Sequence, residues 1–330
     1  MVIVMNEKMV LGQYYNGDSL IHRLDPRTKI FALIVMMVVT FLIPFNNFIL
    51  LGSFFAIIFV VICLTRVPII KYLKSLRQIG FLLIFSFIFQ IFSKTSGTIL
   101  LTLNLQFSYI NIIVVLLTLI IYIFIKKYIP TKLLLFIGII VLSFYLFTIP
   151  MGVSPFAEVT LRIYDSGVIS GSFIIGRVLA IILVSTVLTL TTKPMDLSSA
   201  LEWYMKPFEI FKLKPSILAM MISIALRFIP TLFNETNKIL KAQASRGVDF
   251  KEGKLHERIG QIISLLIPMF VISFKRAVDL ADAMEARGYI PGAKRTRLLK
   301  MSFSFRDLIS LILILLILGF VIFWRVAYAY

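Results

Sequence analysis

Two short tripeptides hold the residue types best suited to binding a protein partner. They are Ser245-Arg246-Gly247 and Ala286-Arg287-Gly288, and their arginines are 41 residues apart. A guanidinium stays charged and binds a carboxylate through two parallel hydrogen bonds. Glycine after a helix supplies the left-handed residue that ends it, and arginine in the last turn suits the helix dipole. Capping explains one copy, but the repetition favours two helix ends that dock into acidic grooves.

The other polar residues do not form a catalytic pattern. Glu202, Glu235 and Glu285 each have basic neighbours, which indicates solvated ion pairs. His22 and His256 are the only histidines, and the sequence HERIG around His256 lacks the second histidine of a HExxH zinc site. A GxxxxGK[ST] phosphate loop does not occur in the sequence. We therefore expect no catalytic residue, no metal site and no bound cofactor in this chain.

The elements that position the two tripeptides belong to a membrane protein. Of the 330 residues, 59% are hydrophobic and 15% are charged, whereas soluble chains have roughly 45–50% apolar and about 25% charged residues. A membrane-spanning helix needs about 20 apolar residues. We predict an all-α polytopic membrane helical bundle with about seven spans. Six of the spans lie in an N-terminal membrane domain, residues 1–193, and the seventh is a C-terminal transmembrane helix within 306–330. The N-terminal spans are 30–45, 48–64, 78–93, 108–125, 133–149 and 168–191.

Residues 194–305 differ from the predicted spans because charged residues recur among the apolar ones. This pattern predicts amphipathic helices on the cytoplasmic face. A short helix is expected from about Asp196 to about Phe211. Two longer helices are expected from Pro215 to Arg246 and from Leu255 to Arg287, so each tripeptide lies at the end of a long helix.

The distribution of basic residues predicts the orientation. The chain has 34 Lys and Arg against 16 Asp and Glu. With the N-terminus in the cytoplasm, 30 of the 34 lie on the cytoplasmic side, Arg177 lies within a span, and Lys94, Arg162 and Arg325 lie outside. Because the cations flank predicted spans and form no compact DNA-binding fold, we expect lipid headgroups and acidic protein grooves as partners, and no nucleic acid.

Four sequence blocks resemble one family, in that family's order. They are GQYYNGDSLIHRLDPRTK (12–29), LTLTTKPMDLSSALE (188–202), SIALRFIPTLFNETNKILKAQASRG (223–247) and SFKRAVDLADAMEARGY (273–289). The chain resembles the T components (EcfT/CbiQ family) of energy-coupling factor (ECF) ABC-type transporters. The resemblance implies a non-catalytic scaffold in the bacterial cell membrane, which joins two ABC-type ATPases to a small S component that binds a vitamin or a transition-metal ion. The two tripeptides would dock on the ATPases, which bind the ATP.

Two further expectations follow from this resemblance. The apolar faces around Ile222–Leu232 and Ile262–Phe274 are the expected seat of the S component. Members of the family are expected to be some tens of residues shorter, which makes Ser108–Ile149 a surplus in this chain. These two extra spans would leave the coupling helices on the cytoplasmic side, because two crossings cancel.

Arg177 is the one basic residue inside a predicted span. A cation inside a span is costly and by default indicates function. We favour a structural role for Arg177, since a long side chain can snorkel to place its charge at the membrane surface.

Two other classes of membrane protein are alternatives to this interpretation. One alternative is an integral membrane lipid-modifying enzyme, for which the sequence lacks a metal-ligand cluster or a nucleophile-base pair. The other is a self-contained secondary transporter, which predicts ionisable residues near the midplane of several spans, where only Arg177 qualifies.

Overall fold

The computed structural model describes residues 14–45, 47–109, 111, 113–118, 138, 142–143, 145, 147, 157–211, 214–248, 255–293 and 301–327. Within them the chain is largely helical, which confirms the predicted all-α class. The elements are α1 (Pro26–Leu42), α2 (Phe48–Thr65), α3 (Ile69–Ser93), β1 (Ile99–Phe107), β2 (Ala157–Tyr164), α4 (Asp165–Thr191), α5 (Pro194–Met205), a 3-10 helix (Lys206–Phe211), α6 (Pro215–Ser245), α7 (Leu255–Ala286) and α8 (Phe305–Ala327).

Several helices are long and apolar enough to cross a membrane. In the described residues these are α2, α4, α6, α7 and α8, and a sixth is counted if the bent halves of α3, Ile69–Arg77 and Ile79–Ser93, form one span. Helix α1 has 17 residues, fewer than the about 20 that a span needs. The predicted span 108–125 is helical at most of its described positions, and most of 133–149 lies outside the described residues.

Helices α6 and α7 are the least apolar of the five, and they are also the least buried. The reason lies in their sequences, where charged residues such as Arg227, Lys238 and Asp279 interrupt the apolar ones. Length and composition thus group α6 and α7 with the spans, while their cytoplasmic placement stays a prediction.

A two-stranded antiparallel sheet was not predicted, and both of its strands lie in segments that were expected to be loops between spans. Its register runs from Ile99 opposite Tyr164 to Phe107 opposite Ala157. Apolar and polar residues alternate in LTLNLQF (101–107) and in AEVTLRIY (157–164), which is the pattern of a half-buried strand. The strands were therefore readable from the sequence.

The helix ends follow the local sequence. Asp25 caps α1, because its carboxylate accepts a hydrogen bond from the backbone amide of Arg27 at 2.9 Å, and Pro26 occupies the first helical position. Helix α5 begins at Pro194 instead of the expected Asp196, which lies in its first turn. A carboxylate there is stabilised by the positive end of the helix dipole.

The chain divides into two compact units, residues 1–43, 53–75 and 180–330, and residues 44–52 and 76–179. In the first unit α1 packs against α8 and α5, α5 packs against α6, and α6 packs against α7. The second unit contains the sheet and the part of α4 around Phe173, whose side chain is fully buried.

Candidate functional site

The two tripeptides end their helices through the same hydrogen-bond pattern. Helix α6 ends at Ser245 and α7 ends at Ala286. In both cases the amide of the residue after the glycine donates to the carbonyl five positions earlier, Val248 N to Gln243 O at 3.1 Å and Tyr289 N to Met284 O at 3.0 Å. This bond is that of a Schellman C-cap, which satisfies carbonyls left free in the last helical turn.

Both glycines adopt the left-handed backbone conformation that this cap requires. Gly247 has φ of +87° and Gly288 has φ of +70°. All six residues of the two tripeptides are exposed. The structure therefore presents Arg246 and Arg287 at the surface, each at a sharply ended helix tip.

Helices α6 and α7 run antiparallel, so their tips lie at opposite ends of the pair. The hydroxyl oxygen of Thr236 in the second half of α6 lies 3.2 Å from the sulfur of Met269 near the middle of α7, and its proton is donated to the Leu232 carbonyl within α6 at 2.7 Å. Met220, near the start of α6, lines the same groove as Met284, near the end of α7. The 26 residues from Met220 to Arg246 cover about 39 Å of helix. The two arginines are therefore presented in opposite directions.

An ion pair joins α6 to α7 between these contacts. The guanidinium of Arg276 donates to the carboxylate of Glu235, and their side chains are 35% and 21% exposed. Glu235 was predicted to form a solvated ion pair, but its partner Arg276 on α7 was not predicted, and the pair is partly buried. It is a polar contact between two otherwise apolar helix faces.

An apolar groove of about 340 Å³ lies between α6 and α7, and the surface beside it is also apolar. On α7 the rings of Phe270 and Phe274 are 71% and 64% exposed and stack with their centroids 6.4 Å apart. A large exposed apolar patch marks a surface that contacts a protein or the membrane. These two rings lie within the expected face Ile262–Phe274. The groove is lined by residues of both helices, among them Met220, Ile224, Phe228, Leu232, Ala277 and Leu280.

Arg177 in α4 packs against two aromatic rings that also contact each other. Its guanidinium carbon lies 4.6 Å from the ring centroid of Phe45 and 5.1 Å from that of Phe173. Cation–π contacts of this kind contribute roughly 0.5–2 kcal/mol. Phe173 is fully buried and also contacts Phe48. This packing fits the structural role favoured for Arg177.

The remaining candidate residues are dispersed. Glu202 lies in α5, Glu285 in the last turn of α7, and His256 at the exposed start of α7. His22 precedes α1 and bonds to neighbouring residues of its own loop. Across the described ranges, no three His, Cys, Asp or Glu side chains lie close enough together to hold a metal ion.

Comparison with known proteins identifies relatives along almost the whole chain. The family described as CbiQ, cobalt transport protein, matches residues 98–298. The energy-coupling factor transporter transmembrane protein EcfT of Listeria innocua is 36% identical over 320 residues, which cover 97% of this chain and 99% of the relative. The protein of the same name from Bacillus subtilis is 35% identical over 323 residues, covering 97% of this chain and 99% of the relative.

These alignments correct the expectation of a surplus at Ser108–Ile149. Because they cover nearly all of both chains, these relatives are about as long as this one. The family match also extends through this stretch. Residues 108–149 are therefore a shared part of these relatives rather than an addition to this chain.

Proposed function

The chain belongs to the family of energy-coupling factor transporter transmembrane proteins, and we propose that it couples ATP hydrolysis by two cytoplasmic ABC-type ATPases to movement of a substrate-binding S component. In this role it is a non-catalytic scaffold in the bacterial cell membrane. The transported substrate would be a vitamin or a transition-metal ion bound by the S component. ATP would be bound by the ATPases and no cofactor by this chain.

The observation that carries the proposal is the two exposed Arg-Gly tips, which end α6 and α7 and lie at opposite ends of this antiparallel helix pair. Two equivalent tips that point away from each other suit two equivalent partner subunits. Arg246 and Arg287 would bind carboxylates in a groove on each ATPase, because the guanidinium fork matches a carboxylate bidentately. Ser245, Gly247, Ala286 and Gly288 would shape the two tips that enter these grooves.

The groove and the exposed face of α7 supply a surface for the S component. A small hydrophobic membrane protein would cover Phe270 and Phe274, whose rings are mostly exposed in the chain alone. Motion of the ATPases would displace the two tips, and α6 and α7 would transmit that displacement to the S component seated on them.

The N-terminus is placed in the cytoplasm in this proposal. The positive-inside distribution supports it, with 30 of 34 basic residues on that side. This orientation brings α5, α6 and α7 to the side where ATP is available.

The test is the variant Arg246→Ala/Arg287→Ala, co-expressed with both ATPases and an S component. Truncating one partner of a buried charge pair costs about 2–5 kcal/mol. Each single variant is therefore expected to weaken co-purification of the ATPases. The double variant is expected to abolish both co-purification and substrate uptake. Arg227→Ala is the matched control, since Arg227 is an exposed arginine in the middle of α6. Full recovery of both ATPases with the double variant would contradict the proposal.

A further inference from the structure

The block Asp25–Lys29 lies at the start of α1. It bonds to the two places where α5–α7 join the rest of the chain, which are the end of α4 and the start of α8. We name residues 25–29 the N-terminal clamp and residues 194–305 the coupling segment. We infer that the clamp, with Asp307, holds both ends of the coupling segment, so that motion of α5–α7 is transmitted to α1 and α8. This inference rests on the proposed function and adds the residues through which the movement passes.

The exit of the coupling segment is fixed by the carboxylate of Asp307 in the first turn of α8. Asp307 is 1% exposed. Its Oδ1 accepts a hydrogen bond from the amide of Asp25 at 2.8 Å and lies 3.0 Å from the hydroxyl of Thr28. The single proton of that hydroxyl is shared with the Asp25 carbonyl, 2.6 Å away. The Oδ2 of Asp307 accepts the amide of Ser304 at 2.9 Å. One carboxylate therefore ties the N-terminus of α1 to the N-terminus of α8.

This carboxylate is stabilised electrostatically as well as by its donors. The positive ends of the α1 and α8 dipoles both lie beside it, and a helix N-terminus favours a negative charge. The amides of Asp25 and Ser304, with the shared proton of the Thr28 hydroxyl, replace the water that the buried oxygens lost, as a buried charge requires. Asp307 is thus held in one position relative to both helices.

The start of the coupling segment is fixed by the ammonium group of Lys29. This side chain is buried, and its Nζ donates to the carbonyl of Thr191 at 2.9 Å and to that of His22 at 3.2 Å. Thr191 is the last residue of α4, and a cation at a helix C-terminus is stabilised by the dipole. The chain enters α5 three residues after this contact.

Helix α5 itself is also bonded to the clamp. The hydroxyl of Tyr204 donates to the carbonyl of Arg27 at 2.8 Å. The guanidinium of Arg27 lies 4.9 Å from the ring centroid of Trp203. The first helix of the coupling segment is thereby attached to the same turn of α1 that contacts Thr191 and Asp307.

The burial of charged groups at these junctions supports transmission of movement rather than apolar packing alone. Burying Asp307 and Lys29 costs more than burying apolar residues of similar size, while directional bonds specify a single arrangement. Junctions fixed in this way do not bend freely, so displacement of the helix tips reaches α1 and α8. Asp307 and Lys29 act as positioning residues in this scheme.

The experiment follows amide hydrogen exchange in the complete complex with both ATPases and an S component, with and without ATP plus vanadate. In the wild type, exchange is expected to change at the Arg-Gly ends and also in the first turns of α1 and α8. In Asp307→Asn, basal exchange in the first turn of α8 should rise about tenfold. The nucleotide-dependent change should persist at the Arg-Gly ends and disappear from α1 and α8.

Two nearly isosteric variants keep the test valid if Asp307→Asn does not insert. Thr28→Val and Tyr204→Phe each remove one hydroxyl and should reduce the change in α1. Thr189→Val is the matched control, because the Thr189 hydroxyl donates to the carbonyl of Ser185 within its own helix, α4. Asp282→Asn is the control for Asp307→Asn, since Asp282 is exposed on α7.

The outcomes separate this inference from the proposed function. A wild type with no exchange change at the Arg-Gly ends would contradict the proposed function. A change at these ends that never reaches α1 and α8, or one that reaches them equally in Asp307→Asn, Thr28→Val and Tyr204→Phe, would overturn the clamp alone.

Discussion

Glu235 and Arg276 form an ion pair between α6 and α7, and each lies eleven residues before the arginine at the end of its own helix. Eleven residues cover about 16 Å of helix, so the arms from the pair to Arg246 and to Arg287 are equal in length. Because the helices are antiparallel, these arms extend in opposite directions. Rotation about this contact therefore displaces both ends equally.

The first prediction concerns the strength of this ion pair. Glu235→Gln and Arg276→Gln should each lower the free energy of unfolding by about 1 kcal/mol, because a partly exposed pair contributes little more than a surface pair. The reversed pair Glu235→Arg/Arg276→Glu should recover most of this loss. Thermal unfolding in detergent of the wild type, the two single glutamine variants and Glu235→Gln/Arg276→Gln gives the coupling energy as a double-mutant cycle.

Asp279→Asn is the matched control for the ion pair, because it removes an exposed carboxylate from the same helix. It should leave the free energy of unfolding within about 0.5 kcal/mol of the wild type. Strictly additive effects of the two glutamine variants would show that the pair contributes nothing to the contact.

The second prediction concerns the left-handed glycines. Gly247→Ala and Gly288→Ala should each cost about 1–2 kcal/mol, because a β-carbon disfavours positive φ even though nothing lies within 4 Å of it. Asparagine should be tolerated better than alanine, since its side chain bonds locally in that conformation. Differential scanning fluorimetry of the purified chain gives the order of stability.

Gly260→Ala is the control for the glycine variants. Gly260 lies inside α7, also with open space around it. Alanine is favoured over glycine inside a helix by about 1 kcal/mol, so this variant should be as stable as the wild type or more so. Equal losses at all three positions would show that left-handed backbone is not the cause.

The bounds of α6 and α7 could be predicted because their local signals are strong. Pro215 supplies a helix start, and Gly247 and Gly288 supply stops, so the expected ranges end within one residue of Ser245 and Ala286. The identities of the Arg-Gly tips were predicted by the same signals. Their opposite directions were not, because these depend on how α7 packs on α6.

Long-range polar contacts could not be predicted from one sequence. Asp25 and Asp307 are 282 residues apart, and nothing local to either residue indicates that one caps the other's helix. The pairing of β1 with β2 is similar, because each strand has its alternating pattern but the register depends on the partner. Packing of distant elements therefore decides the parts of the fold that sequence patterns leave open.

The third prediction concerns the exposed aromatic face of α7. Phe270→Ala/Phe274→Ala should reduce co-purification of the S component at least about tenfold, because large aromatic side chains dominate the energy of apolar interfaces. Recovery of both ATPases should remain unchanged, since the Arg-Gly ends are intact. Quantitative mass spectrometry of the purified complex measures both.

Phe323→Ala is the control for the aromatic face. Phe323 lies on α8 and is 69% exposed, so the substitution removes one exposed ring of similar exposure from a different helix. It should leave the S component bound. An equal loss with Phe323→Ala would assign the effect to general destabilisation rather than to a docking surface on α7.

The last prediction concerns His22, whose imidazole organises the loop before α1. Its Nε2 lies 2.9 Å from the carbonyl of Tyr15, which can only accept, so Nε2 carries the proton. The hydroxyl of Ser19 lies 2.6 Å from Nδ1 and can donate to it when the imidazole is neutral. These two bonds hold the ring in place before α1.

Burial and the nearby positive charge favour the neutral form of the His22 imidazole. Burial lowers the pKa of His22 below 6.5, as does the charge of Lys29, while the Tyr15 carbonyl and Asp18 oppose this shift. The unfolded chain therefore binds a proton at higher pH than the folded chain does. The stability that neutral His22 contributes is complete above about pH 6.5 and is lost as pH falls through the lower folded pKa.

Melting temperatures of the wild type and of His22→Gln between pH 7.5 and pH 5 test this sign. Glutamine does not titrate and retains an amide that can donate to the Tyr15 carbonyl. The wild type should lose more stability than His22→Gln on acidification, and the difference between them should narrow toward low pH. A constant difference across this range would show that the proton equilibrium of His22 is not linked to folding.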